Sequence, residues 1–319
     1  MEACASVVRA LACLQTRRAA DSRRASAAVA VLQQASASDR DPEPQQLAQN
    51  ARACASPCFA GRPAQRSRFF LAANRDEYRA RPAQPLARWS DGNIVAGRDL
   101  ARGGTWLALS PRPTHRGEPA GLRFGFVTNV RSARPRKAGA PSRGTLVPSF
   151  LLGADTPLEF AVRLAREAGA FDEFNLLLGE ISPRAVELAF LHSPSGEARR
   201  LGPGLYGVSN ANLDTPWPKL VRLKQALAHA LAPSQRAERD QRLLRVLADT
   251  QRAPDAALPS TGVPLDWERA LSAIFIDRAE YGTRCSSLVS IEASSRARFF
   301  ERTWHRNDRP SDVEIVLPP

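Results

Sequence analysis

The chain is short of the residues that carry most recognisable chemistry. It has one methionine, three lysines and five cysteines among 319 residues. Five cysteines over that length do not make a disulfide scaffold. The four histidines, His115, His192, His229 and His305, are scattered, and none stands at metal-ligand spacing from another. They read as surface or packing residues, and no metal is expected. There is no Walker loop, GxGxxG, HExxH, paired CxxC or Cys-x-x-Cys-His haem attachment. No apolar run approaches the roughly 18–20 residues of a membrane-spanning helix.

What is present is a 43% hydrophobic chain, enough for a sizeable core in one large domain or two ordinary ones. The formal charge is +13. A charge of that size raises nucleic acid as a partner. The basic residues are almost all arginine, however, and they neither cluster nor alternate with aromatics. Nucleic acid is therefore not expected. The Ala, Arg and Pro bias reads as GC-rich coding, which suggests a bacterial, cytoplasmic protein.

The first part of the chain differs in texture from the rest. Residues 1–68 hold ten arginines and five acids, with Ala-, Ser- and Gln-rich stretches and little periodicity. Residues 1–53 are expected to be a poorly ordered extension and residues 54–319 the domain. Three readings of the extension stand: a tail, an upstream translation start, or an organellar transit peptide over residues 1–36, which would make the address mitochondrial.

Further along, apolar stretches and breakers predict strands at 68–73, 93–99, 105–110, 123–130, 174–181, 186–193, 285–293, 296–304 and 312–317. Thr156-Pro157-Leu158-Glu159 is a helix start with a capping box. Its expected apolar face is Leu158, Ala161, Val162 and Ala165. A second helix opens at Thr215-Pro216, with Trp217, Leu220, Val221, Lys224, Leu227, Ala228 and Leu231 on one side, and a third covers 238–250. Strands, then helices, then strands, with no βαβ alternation, argue for an α+β fold.

Polar residues collect at strand ends: Asn74-Arg75-Asp76-Glu77, Thr128-Asn129, Ser209-Asn210 and Tyr281-Gly282-Thr283-Arg284. Each is compatible with a plain turn, or together they build a site. The stretches LAANRDEYRARP (71–82), AGRDLARGGTWLALS (96–110), FVTNV (126–130), SRGTLV (142–147), FNLLLG (174–179), YGVSNANLDTPWPKL (206–220) and YGTRCSSLV (281–289) resemble the NRDE family, which includes transport and Golgi organisation protein 2. They run in that family's order from about residue 68 to the end.

The resemblance implies an αββα four-layer sandwich of the N-terminal-nucleophile hydrolase type. It implies a cysteine nucleophile whose own α-amine is the base, acting on a non-peptide C–N bond. By analogy, Cys54 is the candidate nucleophile, standing twenty residues before Asn74. Arg75 and Asp76 are candidates to support its thiolate and amine, Asn129 and Asn210 to contact the oxyanion or substrate, and Arg284 to give a second support. Family members usually begin Met-Cys, whereas Cys54 follows Ala53 and becomes an N-terminus only if the chain is cut. The alternative is a non-enzymatic carrier of haem or another anionic amphiphile. In that reading the basic loop with Arg131, Arg134 and Arg143 flanks a cleft and binds the ligand's charged group, or is simply a solvated loop. Cys285, opening an apolar strand, reads as a buried thiol.

Overall fold

The computed structural model describes residues 27–34, 67–90, 93–112, 121–182, 185–230, 235–292 and 294–318. They form an α+β structure of two antiparallel sheets and five α-helices. The first sheet runs β10–β1–β2–β11–β12–β13, from Gly204–Val208, Ala27–Gln34, Ser67–Tyr78, Tyr281–Glu292, Ala297–Thr303 and Ser311–Leu317. The second runs β3 to β9 in order: Ala83–Arg88, Val95–Asp99, Leu107–Pro111, Leu122–Asn129, Phe174–Ile181, Val186–His192 and Glu197–Leu201. The helices are α1 (Leu146–Leu152), α2 (Pro157–Glu167), α3 (Pro218–Ala230), α4 (Arg236–Leu247) and α5 (Leu265–Leu271).

Four apolar clusters hold the described elements together, the smallest formed by Leu271, Ile276 and Tyr281. The largest joins the two sheets, with Phe69, Leu71 and Ala73 of β2 meeting Leu107, Phe124, Phe126 and Phe190 of the second. The Phe69 and Phe124 rings touch across the gap, centroids 4.2 Å apart. A second cluster packs α1 and α2 on the far side of the second sheet. A third packs α3 and α4 on β2 and β11 through Leu220, Leu223, Leu227, Leu243 and Leu247. Burial of this area is the main favourable term in folding.

Several expectations meet a different outcome. The strand predicted to end at Asn74 continues through Asn74-Arg75-Asp76-Glu77 to Tyr78. Pairing with β11 as far as Tyr281 supplies the backbone partners that keep this polar stretch extended. The buried face of α2 is Pro157, Phe160, Ala161 and Leu164, while Val162 is 40% exposed. That face is the i, i+3, i+4, i+7 stripe set by the largest apolar side chains. On α3 the stripe is Leu220, Leu223, Leu227 and Ala230, with Val221 turned outward. Strand β1 comes from before residue 54, the boundary suggested by sequence texture. Cys54 lies outside the described residues.

The capping box is present. Thr156 accepts from the Glu159 backbone N–H, and the Glu159 carboxylate accepts from the Thr156 backbone N–H at 2.9 Å. Thr156→Ala is expected to lower unfolding free energy by about 1 kcal/mol in urea denaturation, without changing the slope.

Candidate functional site

Successive side chains of a strand point to opposite faces. On β2, Phe69, Leu71 and Ala73 enter the core between the sheets, and Phe70 and Ala72 enter the core beneath the helices. The alternation carries on into the polar stretch. Arg75 and Glu77 follow Ala73 toward the space between the sheets, and Asn74 and Asp76 follow Ala72 toward the helices. Arg75 and Asp76, expected to serve one nucleophile together, therefore sit on opposite sides of the sheet.

On the helix side, Asn74 is fully buried and fully used. Its amide donates to the carbonyls of Leu247 and Ile274 at 2.8 and 2.9 Å, and its oxygen accepts from Ser286 at 2.7 Å. The side chain ties α4 and the segment before β11 to the sheet. Asp76 accepts from Thr283 at 2.7 Å through one carboxylate oxygen. Its other oxygen is buried and has no hydrogen-bond partner among the described residues. The same holds for Lys219 Nζ, Arg131 Nη2 and Tyr281 Oη. These groups interact electrostatically with one another. Burial pushes the Asp76 carboxyl up to about 6, against the pull of Lys219 and Thr283. Burial and the neighbouring Arg131 push Lys219 down to about 8. Burial also lowers the Arg131 guanidinium, which pairs with Glu268 at 2.9 Å and stacks on Trp217. Arg131, expected at a cleft mouth, is thus enclosed behind the sheet.

On the other side, Arg75 and Glu77 line an open cleft of about 290 Å³ between the two sheets. Its arginines are Arg75, Arg81, Arg102, Arg136 and Arg143, and its acids are Glu77, Asp99 and Asp172. Arg81 holds Asp99 through two nitrogens at 3.0 and 2.6 Å. Arg136 stands 3.6 Å from Asp172, and Arg75 stands 3.8 Å from Glu77. Arg143 donates to the Glu173 carbonyl at 2.8 Å. Burial first, then the nearby Arg136 charge, lower its guanidinium to about 10. The cleft rim is built where AGRDLARGGTW meets SRGTLV. A Cβ on Gly104 would stand 2.4 Å from the Gly144 carbonyl, so glycine is required there, and Thr105 N–H donates to that carbonyl at 3.0 Å.

The remaining predicted residues fall as follows. Asn129 lines the cleft, and its carbonyl accepts from the side chain of buried Asn210 at 2.9 Å. Arg134 is exposed, pairs with Glu173, and lines a neighbouring groove together with Arg143. Arg284 spends one guanidinium nitrogen on the carbonyls of Tyr78, Arg79 and Arg81, clamping the turn after β2. Cys285 is a buried thiol, pushed well above its ordinary range by burial and then by Glu301. It is no ready nucleophile.

Sequence reading missed Lys219, Glu268 and Tyr281 as members of the buried charged group. One signal was available for Lys219. In a chain with 42 arginines and three lysines, Lys219 stands among the apolar residues that open α3. Asn175 was also missed. It bridges Thr128, the Ala211 carbonyl and His192, joining the two sheets at one end.

The family model for Transport and Golgi organisation 2 matches residues 58–306. The Transport and Golgi organization protein 2 homolog of Bos taurus is 32% identical over 266 residues, covering 78% of this chain and 92% of that protein. The Homo sapiens homolog is 31% identical over 265 residues, with the same coverage. Transport and Golgi organization protein 2 of Drosophila melanogaster is 28% identical over 254 residues, covering 74% of this chain and 86% of that protein. Cys54 precedes the matched range.

The buried pair behind the sheet should leave a mark on stability. Asp76 titrates higher in the folded chain than its ordinary 3.8, so the native state holds the extra proton up to about pH 6 and loses stability as pH rises through that window. Lys219 titrates lower than its ordinary 10.5, so the unfolded state holds the extra proton above about pH 8 and stability climbs from there. Wild-type stability relative to an Asp76→Asn/Lys219→Met double variant should be lowest near pH 7, by about 3 kcal/mol. Denaturant unfolding at pH 4, 7 and 10 measures it. A difference that does not move with pH would contradict the assignment.

Proposed function

The chain belongs to the Transport and Golgi organisation 2 family, and we propose that it binds a small organic anion, a carboxylate or a phosphate, in the cleft between its sheets. The observation that carries this reading is the guanidinium excess around one cavity. Five arginines face three acids there, and the Arg136 charge adds to the effect of burial in lowering the Arg143 guanidinium. A bound anion relieves that repulsion and accepts the forked N–H pairs that arginine presents. The polar walls suit a compact hydrophilic ligand. Haem, with two carboxylates, is the larger candidate, and a titration followed at the Soret band tests it separately. The succession of helices, sheet, sheet and helices supports an αββα sandwich of the N-terminal-nucleophile hydrolase type.

A hydrolase of non-peptide C–N bonds is the second reading, and Asp76 is the observation in its favour. It pairs with Ala27, the first residue of β1, and keeps one carboxylate oxygen unpartnered, the arrangement that would hold an α-amine. Cys54 as that N-terminus requires a cut that separates β1 from the rest of the chain. Intact-mass analysis and N-terminal sequencing distinguish the two. A mature chain starting at Cys54 supports hydrolysis, and one that retains residues 27–34 removes Cys54 as an N-terminal nucleophile.

For the binding reading, inorganic phosphate should bind saturably by isothermal titration. Arg143→Gln should weaken it about tenfold, a loss of roughly 1.4 kcal/mol. Absence of saturable phosphate or carboxylate binding to the wild-type chain would remove the reading.

A further inference from the structure

The cleft continues past Arg75. A narrower arm of about 60 Å³ shares Arg75, Asp99, Thr105 and Trp106 with it. The wall changes character along this path. Ala83, Pro85 and the bare backbone of Gly97 line the arm, together with two deeply buried groups, Glu301 and Cys285. Glu301 lies on β12 and is 3% exposed. No element of the anion site at the mouth needs a buried carboxyl here.

The hydrogen-bond capacity of that carboxyl decides what it can receive. A carboxylate offers about four acceptor positions. The Leu86 backbone N–H takes one, at 2.8 Å, and Cys285 and Thr303 line the arm beside the carboxyl. Among the described residues, the carboxyl keeps capacity for a further donor. Gly97 keeps the approach open, because a Cβ there would stand 3.7 Å from Glu301 Oε2 and 3.1 Å from the Gln84 carbonyl. The second acid in the arm, Asp99, is already engaged by Arg81. Arg75, Arg98 and Arg284 line the same arm, so an incoming ammonium meets three positive charges. A second anionic group would meet the buried carboxyl. An uncharged donor meets neither penalty.

We infer that this arm is a specificity subsite for an uncharged hydrogen-bond donor, a hydroxyl or amide N–H, carried a few atoms from the anionic group that the mouth holds. The ligand class is then a hydroxylated or amidated molecule with a single anionic group, bound in one orientation, anion outward and donor inward. Glu301 sets that orientation and Gly97 sets the reach. The inference rests on the anion-binding reading above, and its test separates the two.

Three probes differing only at the far end suffice with the full chain: n-propyl phosphate, 3-hydroxypropyl phosphate and 3-aminopropyl phosphate, compared by isothermal titration. The hydroxyl compound is expected to bind at least about fivefold tighter than the propyl compound, in line with one added hydrogen bond. The amino compound is expected to bind no tighter than the propyl compound. Gly97→Ala should bring the hydroxyl-to-propyl ratio close to one. Saturable binding of all three with equal affinity in the wild-type chain overturns the arm while leaving the anion site standing. Tightest binding of the amino compound overturns the uncharged-donor assignment. Failure of every phosphate, inorganic phosphate included, overturns the anion site and the arm with it.

Discussion

The two-residue period of β2 is the constraint on which the rest of the molecule depends. One strand supplies Phe69, Leu71 and Ala73 to the core between the sheets and Phe70 and Ala72 to the core beneath the helices. Its last residues then place charge on both faces at once. Asn74 and Asp76 go to the enclosed side, where the only compensation is hydrogen bonding and mutual charge. Arg75 and Glu77 go to the other side, where they line the cleft between the sheets. A slip of one residue in pairing with β11 would exchange the two sets and bury Arg75 against Leu247 and Ile274. The bulge between Thr283 and Cys285 falls beside Asp76 and Arg75. It gives Arg284 an extra position from which to clamp the turn that follows.

The two polar regions differ in kind. The buried group of Asp76, Lys219, Arg131, Glu268 and Tyr281 is close to neutral, and its members hold one another at the cost of lost hydration. It behaves as a stabilised but costly internal network, and its chemistry is felt through protonation. The open cleft has more cations than anions, and its inner arm adds one deeply buried carboxyl, Glu301. That polarity is what a bound molecule would read.

Much of this was legible beforehand, and the limits have physical causes. Strands with apolar runs, such as Phe174–Ile181 and Val186–His192, announce themselves because both faces are buried. Thr156 and Glu159 mark a helix start because the cap is a local hydrogen-bond pattern. Strand β9, Glu-Ala-Arg-Arg-Leu, buries only one residue and carries no such signal. Helices α1 and α5 span seven residues each, too few to develop a periodic stripe. Motif reading singled out Arg75, Asp76, Asn129, Asn210 and Arg143 as candidates. It could not say that Arg75 and Asp76 face apart, because it ended the strand at Asn74. Arg131 looked like a loop cation until Glu268, far away in sequence, supplied its partner.

Strand β1 has a consequence for how the chain reaches this structure. Ala30 pairs with Ala73 on one side and with Val208 on the other. It leaves the ribosome well before either partner exists, and the second arrives only after most of the second sheet has been made. Until then β1 keeps the edge that will face β10 unpaired, which makes closure of the first sheet a late, non-local event. Such an interval is when chains pair with the wrong neighbour. The finished core, in which that edge is paired along β10, carries no trace of the interval.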